Sequence, residues 1–305
     1  MSPGIDLSVI ERGWLSSNNI LIGDGEGGAV LVDTGYSTHA PQTLALVQSA
    51  LRGRALSKIF NTHLHSDHCG GNAELQRHFA VPLLVPPGQF DAAQAWDESR
   101  LSYQATGQTC ERFHPDQMLV PGSTIQLGQG LWHVLAAPGH DPDAVMLFES
   151  NSGTLISADA LWERGFGIVF PELDGVAAFD EVEATLDLID GLPVTRVIPG
   201  HGAAFNDVKR ALEEARRRLQ GFKRDPVKHA RYAAKALLKF HLIEVREQRL
   251  AALQTWAADT PVHRMLWARH FSQIPLEAWT LQVLDELRSS GALTMDADLI
   301  RDAVV

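Results

Sequence analysis

The stretch from Asn61 to Gly71, with the sequence NTHLHSDHCGG, constrains the fold of this chain more than any other. It places His63, His65, Asp67 and His68 within six positions. The apolar run before it reads as a short buried strand, and its two glycines read as a tight turn into a helix. In extended backbone alternate side chains point the same way, so His63, His65 and Asp67 would converge while His68 faces a neighbouring point. The stretch therefore predicts a metal site on a strand-end loop, with two metals rather than one.

Three further loops carry residues of the same kind, and each follows an apolar run that reads as a strand. They hold His140, Asp159 and His201, next to small residues that let the backbone turn tightly. Imidazole and carboxylate groups together suit zinc, iron or manganese. Seven candidates are more than one catalytic ion uses, because such an ion keeps a position open for water.

The seven candidates divide into two sets of three with one bridging carboxylate: His63, His65 and His140 for one ion, Asp67, His68 and His201 for the other, and Asp159 between them. Two cations roughly 3.5–4 Å apart lower the pKa of the water between them and supply hydroxide near neutral pH. They also polarise a carbonyl or phosphoryl oxygen. This arrangement is hydrolytic, and we expect Asp67 to orient the water or to accept a proton. Five other histidines are interpreted as structural or surface residues: His78, His133, His229, His241 and His263.

The composition is that of a globular protein with a substantial core. The chain has 305 residues, of which 45% are apolar and 21% charged, and this suits one large domain or two smaller ones. Its two cysteines, Cys69 and Cys110, do not make a disulfide framework and fit a reducing compartment. No secretory signal is visible at the N-terminus, and no apolar run approaches the roughly 20 residues that span a bilayer. We therefore expect a cytoplasmic protein with no membrane partner.

Charge is unevenly distributed along the chain. The formal net charge is −11, yet thirteen Lys or Arg stand against five Asp or Glu between residues 208 and 250. One interpretation of this basic stretch is a surface that follows the phosphates of RNA. We favour the other, a solvated helix face packed against an acidic catalytic domain or a partner subunit. Few aromatic residues are interleaved for base stacking, and the rest of the chain would repel a polyanion.

Patterning also predicts where regular structure changes. The chain is strand-rich up to about residue 205 and mostly helical after it. Helices are predicted at 89–102 and 176–190, the first of them within an irregular insertion at 86–122 that reads either as a lid or as a packed surface flap. The helical part is predicted to end in one short strand at 291–295.

Five separated motifs in this order resemble the metallo-β-lactamase superfamily. In chain order they are Asp33-Thr34-Gly35, His63-x-His65-x-Asp67-His68, Pro138-Gly139-His140, Ala158-Asp159 and Pro199-Gly200-His201-Gly202. The likeness covers about residues 7 to 205. It implies an α/β (α+β) fold, the αββα sandwich, in which two mixed sheets pack face to face with helices outside. It also implies the division of metal ligands given above, with two divalent ions, Zn²⁺ as the first choice and iron or manganese as alternatives.

Two departures from the family pattern indicate which branch of the superfamily the chain resembles. The pair Asp67-His68 resembles the glyoxalase II-like hydrolases, and Asp159 stands where zinc β-lactamases typically have a cysteine ligand. Antibiotic hydrolysis is therefore not the expected role. After His140 the chain reads Asp141-Pro142-Asp143-Ala144, where many relatives have a Thr/Ser-Pro-Gly-His run. We expect this second departure to concern the substrate side of the site.

The C-terminal part resembles the winged-helix-like tail of some members of the superfamily, including an endoribonuclease-like branch. This likeness rests on helix order and a final strand. It divides the chain into a metallo-β-lactamase-like catalytic domain at 1–205 and a helical, winged-helix-like domain at 206–305.

Three functions are compatible with these features. We favour a metal-dependent hydrolase of a small ester, thioester or lactone. The alternative is a metal-dependent phosphodiesterase or endoribonuclease that grips nucleic acid with the basic stretch. A third function, persulfide oxidation by one iron on two His and one Asp, is disfavoured because the second set of ligands is complete. The expected partner is a small-molecule substrate, nucleic acid is less favoured, and a homo-oligomer is left open.

Overall fold

The computed structural model describes residues 5–303. Buried apolar runs form the strands of its first two thirds, and amphipathic stretches form the helices between them. Up to residue 101 the elements are β1 (Leu7–Ile10), β2 (Asn19–Gly23), β3 (Gly28–Val32), α1 (Ala40–Leu51), β4 (Ala55–Phe60), α2 (Ser66–Cys69), α3 (Asn72–Phe79), β5 (Leu83–Val85) and α4 (Pro87–Ala95). From there to residue 224 they are α5 (Tyr103–Thr106), β6 (Gln117–Met118), β7 (Thr124–Leu127), β8 (Gly130–Ala136), β9 (Val145–Glu149), β10 (Thr154–Ala158), α6 (Phe170–Asp174), α7 (Phe179–Asp190), β11 (Arg196–Pro199) and α8 (Val208–Arg224).

These strands form two mixed sheets. The first has the order β1-β2-β3-β4-β5-β6, antiparallel from β1 to β3 and parallel from β3 to β6. The second has the order β11-β10-β9-β8-β7, antiparallel except for the parallel pair of β10 and β11. In the first sheet, parallel pairing brings the carboxyl ends of β3 and β4 to the same edge.

The two sheets pack face to face around a shared apolar core. Strand residues two positions apart point to the same face, so alternate residues of both sheets fill the space between them. The core includes Ile20, Ile22, Val30, Val32 and Phe60 from the first sheet and Trp132, Val134, Val145, Leu147, Ile156 and Ile198 from the second. The predicted mixed α/β fold of two packed sheets is confirmed.

The described chain divides into two compact units. One contains the residues up to Leu101 together with Cys110–Gln220, and thus both large sheets. The other contains Ser102–Thr109 and the chain from Gly221 onward. The change from one unit to the other along the chain falls within α8. The predicted domain boundary near residue 205 stays a prediction.

The second unit is mainly helical. Its elements after α8 are α9 (Pro226–Val245), β12 (Glu247–Arg249), α10 (Leu250–Asp259), α11 (Pro261–His270), α12 (Leu276–Ser289), β13 (Leu293–Asp296) and β14 (Leu299–Asp302). The three strands form an antiparallel sheet in the order β12-β14-β13. Helix α9 packs against α11 and α12, and α5 packs against α11. In the part of the chain that is described, no helix has both the length and the apolar character needed to cross a bilayer. The helical character of this region is confirmed, and its winged-helix assignment stays a prediction.

The insertion at 86–122 is packed. Strand β6 pairs with β5 in the first sheet, and Phe113 is buried. The helix predicted at 89–102 is shorter, because Trp96 adopts a left-handed conformation (φ 56°) that ends α4 at Ala95. These features support the interpretation as a packed flap.

Two other predicted elements differ from the structure. The second predicted helix begins at Phe179, where Glu172 Oε1 accepts the backbone N–H groups of Ala178 and Phe179 at the start of α7. The single strand predicted at 291–295 is a hairpin of β13 and β14. Its turn places Ala297 at φ 52°, a conformation that favours glycine, so the sequence carries no turn signal there.

Candidate metal centre

The seven predicted ligands lie in four segments that each follow a strand, and Asp67 and His68 are in the helical turn α2. His63 and His65 come after β4, His140 after β8, Asp159 after β10 and His201 after β11. The segments deliver their side chains into two groups, and within each group one ligand atom per residue lies within 4.8 Å of the others. The first group is His63, His65 and His140, and the second is Asp67, His68, Asp159 and His201.

The first group consists of three imidazoles. His65 Nδ1 lies 2.8 Å from His140 Nε2, and the rings of His63 and His65 have centroids 4.7 Å apart. His140 Nδ1 donates to the carbonyl oxygen of Ile168 at 2.5 Å, which leaves the Nε2 lone pair directed into the group. His63 Nε2 is buried and has no hydrogen-bond partner within residues 5–303.

His65 is positioned from outside this group. Its Nε2 faces Asp141 Oδ2 at 3.6 Å. Gln89 links Asp141 to the loop after β4 that carries His63 and His65. Its amide nitrogen donates to Asp141 Oδ2 at 2.8 Å, and its Oε1 accepts from the backbone N–H of Leu64 at 3.0 Å. Burial raises the pKa of Asp141. The departure from the family pattern at Asp141 thus lies beside the candidate ligand His65, and its relation to a substrate stays a prediction.

The second group combines two carboxylates with two imidazoles. Asp67 Oδ2 lies 3.1 Å from His201 Nε2, and Asp159 Oδ1 lies 3.4 Å from His68 Nε2. Residues Ser66–Cys69 form the helical turn α2, which brings Asp67 and His68 into the same group. The convergence expected from extended backbone, with Asp67 beside the two earlier histidines, is wrong for this reason.

Asp159 lies between the two groups. Its Oδ2 is 3.5 Å from His140 Nε2, while its Oδ1 is 3.4 Å from His68 Nε2. The indole N–H of Trp162 donates to Oδ1 at 3.1 Å and so holds the carboxylate in place. A Cβ atom at Gly200 would lie 2.2 Å from Asp159 Oδ1, so this close approach requires glycine.

Asp33 supports His68 from behind the second group. Its Oδ2 accepts a hydrogen bond from His68 Nδ1 at 2.8 Å, and the carboxylate also accepts the backbone N–H and the hydroxyl of Thr62. His68 Nε2, buried and without a hydrogen-bond partner among the described residues, is therefore left for the group itself. Carboxylate–histidine pairs of this kind orient metal ligands.

Asn18 ties the His201 loop to the connection between β1 and β2. Its side-chain amide donates to the carbonyl oxygens of Pro199 at 2.9 Å and Gly202 at 2.7 Å. Its backbone N–H donates to the carbonyl of Gly200 at 2.7 Å, and the neighbouring Ser17 N–H donates to that of Asp67 at 2.8 Å. The connection thus holds the backbone beside two members of the second group.

Two tryptophans border the second group. The Trp14 ring stacks on His201 with centroids 5.4 Å apart and 13° between the planes, and it meets the edge of Trp162 at 5.3 Å. Although Trp14 is large and mostly apolar, it is 54% exposed. It therefore offers an apolar surface to solvent directly beside the candidate ligands.

Burial keeps the first group neutral. It lowers the pKa of His63 well below the usual value and lowers the pKa of His65 and of His140 to about 4. A neutral imidazole is the form that binds a metal ion, so this group is in the correct protonation state at neutral pH.

The second group holds an excess of negative charge. Burial alone would lower the pKa of His68, but Asp159, Asp33 and Asp67 outweigh it and hold that pKa well above the usual value. Burial alone would raise the pKa of Asp159, but His201 and His68 outweigh it and hold that pKa well below the usual range. A bound cation would compensate the buried carboxylates.

Both groups fit divalent metal ions. A metal would satisfy the buried Nε2 atoms of His63 and His68, which otherwise lack partners among the described residues. The first group offers three neutral nitrogens, and the second offers two carboxylates with two imidazoles. This donor chemistry suits zinc, iron or manganese.

Sequence reasoning missed most of the residues that support these groups. Asn18, Gln89 and Trp14 carry no local pattern, because their partners lie far away along the chain. Asp33 did carry a signal, since a polar turn directly after a buried strand reads as a functional loop.

Residues 12–201 match a family model described as the metallo-beta-lactamase superfamily. The match covers more than half of the chain and contains every candidate ligand. The chain belongs to this superfamily.

Individual relatives carry the likeness further. A hydroxyacylglutathione hydrolase from Synechococcus sp. (strain JA-2-3B'a(2-13)) is 32% identical over 190 residues, which are 58% of this chain and 66% of that protein. An acyl-coenzyme A thioesterase from Bos taurus is 25% identical over 215 residues, which are 64% of this chain and 77% of that protein. The chain spans between 44% and 66% of the length of three hydroxyacylglutathione hydrolases that it matches.

A solved structure extends the likeness to the whole chain. A metallo-beta-lactamase family protein from Thermus thermophilus aligns with a TM-score of 0.56 at 22% identity. The alignment covers 98% of this chain and 99% of that one. At this identity the comparison shows the fold.

Proposed function

We propose that this protein is a metal-dependent hydrolase that holds one divalent ion in each group and acts on a thioester. The observation that carries the proposal is the position of Asp159, whose two oxygens face His140 of the first group and His68 of the second. A pair of divalent ions held there would supply hydroxide near neutral pH and polarise a carbonyl oxygen. We take Zn²⁺ as the metal, with iron and manganese as the alternatives that the same donors accept.

The substrate class is supported by the relatives. Hydroxyacylglutathione hydrolase and acyl-coenzyme A thioesterase are both named for acyl groups carried on a thiol. Within the broader class of small esters, thioesters and lactones, we therefore place a thioester first. The exposed face of Trp14 would contact the apolar part of the acyl group or of its carrier.

Asp67 is proposed to handle the proton. Burial would raise its pKa, but His68 and His201 outweigh that effect and lower it, so the carboxylate is ionised at neutral pH. Its Oδ2 can then accept a proton or orient the attacking water. Trp162 keeps Asp159 in place through the indole N–H. The remaining candidate ligands position the ions.

Elemental analysis combined with an activity panel tests this proposal. The panel contains an acyl-glutathione, an acyl-coenzyme A, a lactone, a phosphodiester and a single-stranded RNA. We expect two divalent ions per chain and hydrolysis of at least one thioester, abolished by chelation and restored by added Zn²⁺.

Two histidine variants provide the matched comparison. We expect His63→Ala to lower metal content and to reduce activity by about 100-fold or more. His78→Ala removes an exposed histidine that bonds Gln48 and should change neither. A metal-free protein whose activity is insensitive to His63→Ala, or a single iron per chain, contradicts the proposal.

A further inference from the structure

The two cysteines of the chain contact each other although 41 positions separate them. Cys69 Sγ lies 3.9 Å from Cys110 Sγ, and the two are not joined by a disulfide. Cys69 is the last residue of α2 and is fully buried, whereas Cys110 is partly exposed. Neither side chain belongs to the two candidate metal groups, so the proposed hydrolysis leaves this pair without a role.

The Cys69 side of the contact is rigid. The backbone N–H of Cys69 donates to the carbonyl of His65 at 3.1 Å within the helical turn. A Cβ atom at the next residue, Gly70, would lie 2.4 Å from the backbone nitrogen of Ser37 and 2.5 Å from the carbonyl oxygen of Ser66. Such close backbone packing leaves α2 no room to shift, so any approach of the two sulfurs requires movement of Cys110.

The Cys110 side of the contact can move. Residues 108–116 contain neither helix nor strand. Beyond Cys110 the segment is fixed by buried Phe113, by hydrogen bonds between Gln76 and the backbone of His114, and by the backbone N–H of Asp116, which donates to Leu83. Next to Cys110 itself, Glu111 is held on α3 by an ion pair with Arg77 at 2.5 Å. An exposed ion pair of this kind contributes little to stability. The sulfurs must approach from 3.9 Å to about 2.05 Å to form a bond, a shift that a small rotation of the Cys110 side chain and segment can supply.

We propose that Cys69 and Cys110 are a site of covalent modification at which a small-molecule disulfide is exchanged for an intramolecular disulfide. Cys110 reacts first because it is the exposed partner. Its sulfur, on losing its proton, attacks one sulfur of the small disulfide, and the other sulfur leaves as a thiol that takes up that proton.

The Cys69 sulfur completes the exchange. It attacks the Cys110 sulfur of the mixed disulfide, and the second small thiol leaves with the Cys69 proton. Each cysteine is thereby oxidised by one electron, and one small disulfide is reduced to two thiols, so no further reactant is needed. The new bond ties the 108–116 segment to α2, the turn that carries Asp67 and His68.

Oxidised glutathione is the probe for this exchange on the full chain. After incubation, remaining thiols are blocked, the protein is digested, and the peptides are identified by mass spectrometry. We expect a peptide pair linked through Cys69 and Cys110, reversal by dithiothreitol, and a higher midpoint of thermal unfolding for the oxidised protein, because a closed loop restricts the unfolded chain.

Two variants separate the steps. Cys69→Ala should accumulate glutathione on Cys110, because the second attack is lost. Cys110→Ser, at the partly exposed position, should leave Cys69 unmodified and show no rise in unfolding midpoint with oxidised glutathione. Far-UV circular dichroism and the unfolding midpoint of both reduced variants report that the fold is intact.

Three results would overturn the inference. They are glutathione retained on Cys110 in the wild-type chain, a disulfide formed only between two chains, and no reaction at either cysteine under conditions where the denatured chain reacts. None of these readouts depends on hydrolytic activity, so the test stands apart from the proposed function.

Discussion

At the scale of single residues, His68 shows how surroundings decide which atom can bind a metal. Its Nδ1 donates to Asp33 at 2.8 Å, while its Nε2 faces Asp159 at 3.4 Å. The first contact fixes both the ring orientation and the position of the proton. Only Nε2 is then available to the second group.

Replacing Asp33 should therefore weaken metal binding without touching a ligand. In Asp33→Asn the atom facing His68 Nδ1 can become an amide nitrogen, which cannot accept the hydrogen bond. We expect metal affinity to fall about 10- to 100-fold, measured by competition with a chelating dye. Asp24→Asn is the matched control, because Asp24 accepts the backbone N–H groups of its own turn, from Glu26 and Gly28. Equal affinities for Asp33→Asn and wild type would refute this account.

His263 predicts a pH dependence of stability outside the metal centre. Burial lowers its pKa to about 4, below the value of about 6.5 for an unfolded chain. Between these pH values the unfolded state binds a proton that the folded state does not. The contribution is therefore fully present above about pH 6.5 and is lost as pH falls towards 4, amounting to about 2 kcal/mol between pH 7.5 and pH 5.

Urea unfolding at both pH values measures this effect. In His263→Gln the loss of stability on acidification should be smaller than in wild type by about that amount. His78→Gln, at an exposed position, should lose as much as wild type. Parallel losses in all three proteins would show that His263 is not the group responsible.

The sequence could predict the candidate ligands because they lie in four segments that each follow an apolar run. It could not predict the residues whose hydrogen bonds fix the position of the ligand-bearing loops. Asn18 bonds Pro199 across 181 positions, and no pattern within either loop records that pairing. Asp141 was recognised as a departure, but its place beside His65 depends on how two loops from different sheets meet.

At the scale of elements, the connection between β1 and β2 is the part of the fold that borders the site. It anchors the His201 loop through Asn18 and presents Trp14 to solvent. A strand pattern predicts the two strands but not the conformation of the eight-residue link between them. The helical turn α2 was not predicted, because its four residues are too few to show a helical period.

Trp14→Ala tests the role of this connection in substrate binding. If the indole contacts the acyl group or its carrier, its loss should raise KM for a thioester by about 5- to 30-fold, since burying part of a large apolar side chain contributes about 1–2 kcal/mol. Metal content should stay the same. Trp14→Phe should restore most of the affinity, and Val176→Ala, at another exposed apolar position, should have no effect. An unchanged KM would place the substrate elsewhere.

At the scale of the whole molecule, basic residues of the 208–250 stretch pair with acids, each within the unit in which it lies. Arg216 pairs with Asp187 at 2.7 Å and Asp190 at 3.0 Å. Further along, Arg231 and Lys235 both contact Glu286, at 2.6 Å and 3.2 Å. The contacts of Arg216 with Asp187 and Asp190 support the interpretation as a solvated helix face packed against acidic residues of the first unit.

We accordingly expect weak binding to nucleic acid. At 150 mM salt the dissociation constant for single-stranded RNA, measured by fluorescence polarisation, should be no tighter than the roughly 10⁻⁴–10⁻⁶ M of non-specific binding. Arg216→Glu should leave it unchanged. Binding that is much tighter, weakens steeply with salt and is lost in Arg216→Glu would instead favour the ribonuclease alternative.

Residues 102–109 belong to the second unit, although the chain on both sides of them belongs to the first. This arrangement affects what a truncated gene would encode. Helix α5 packs against α11, and a Cβ atom at Gly107 would lie 2.8 Å from Thr260 Oγ1. A stop codon or a single crossover near residue 220 would keep α5 but discard the helix it packs on. We therefore expect the two units to be inherited together, and a C-terminal truncation to behave as loss of the whole protein rather than loss of a tail.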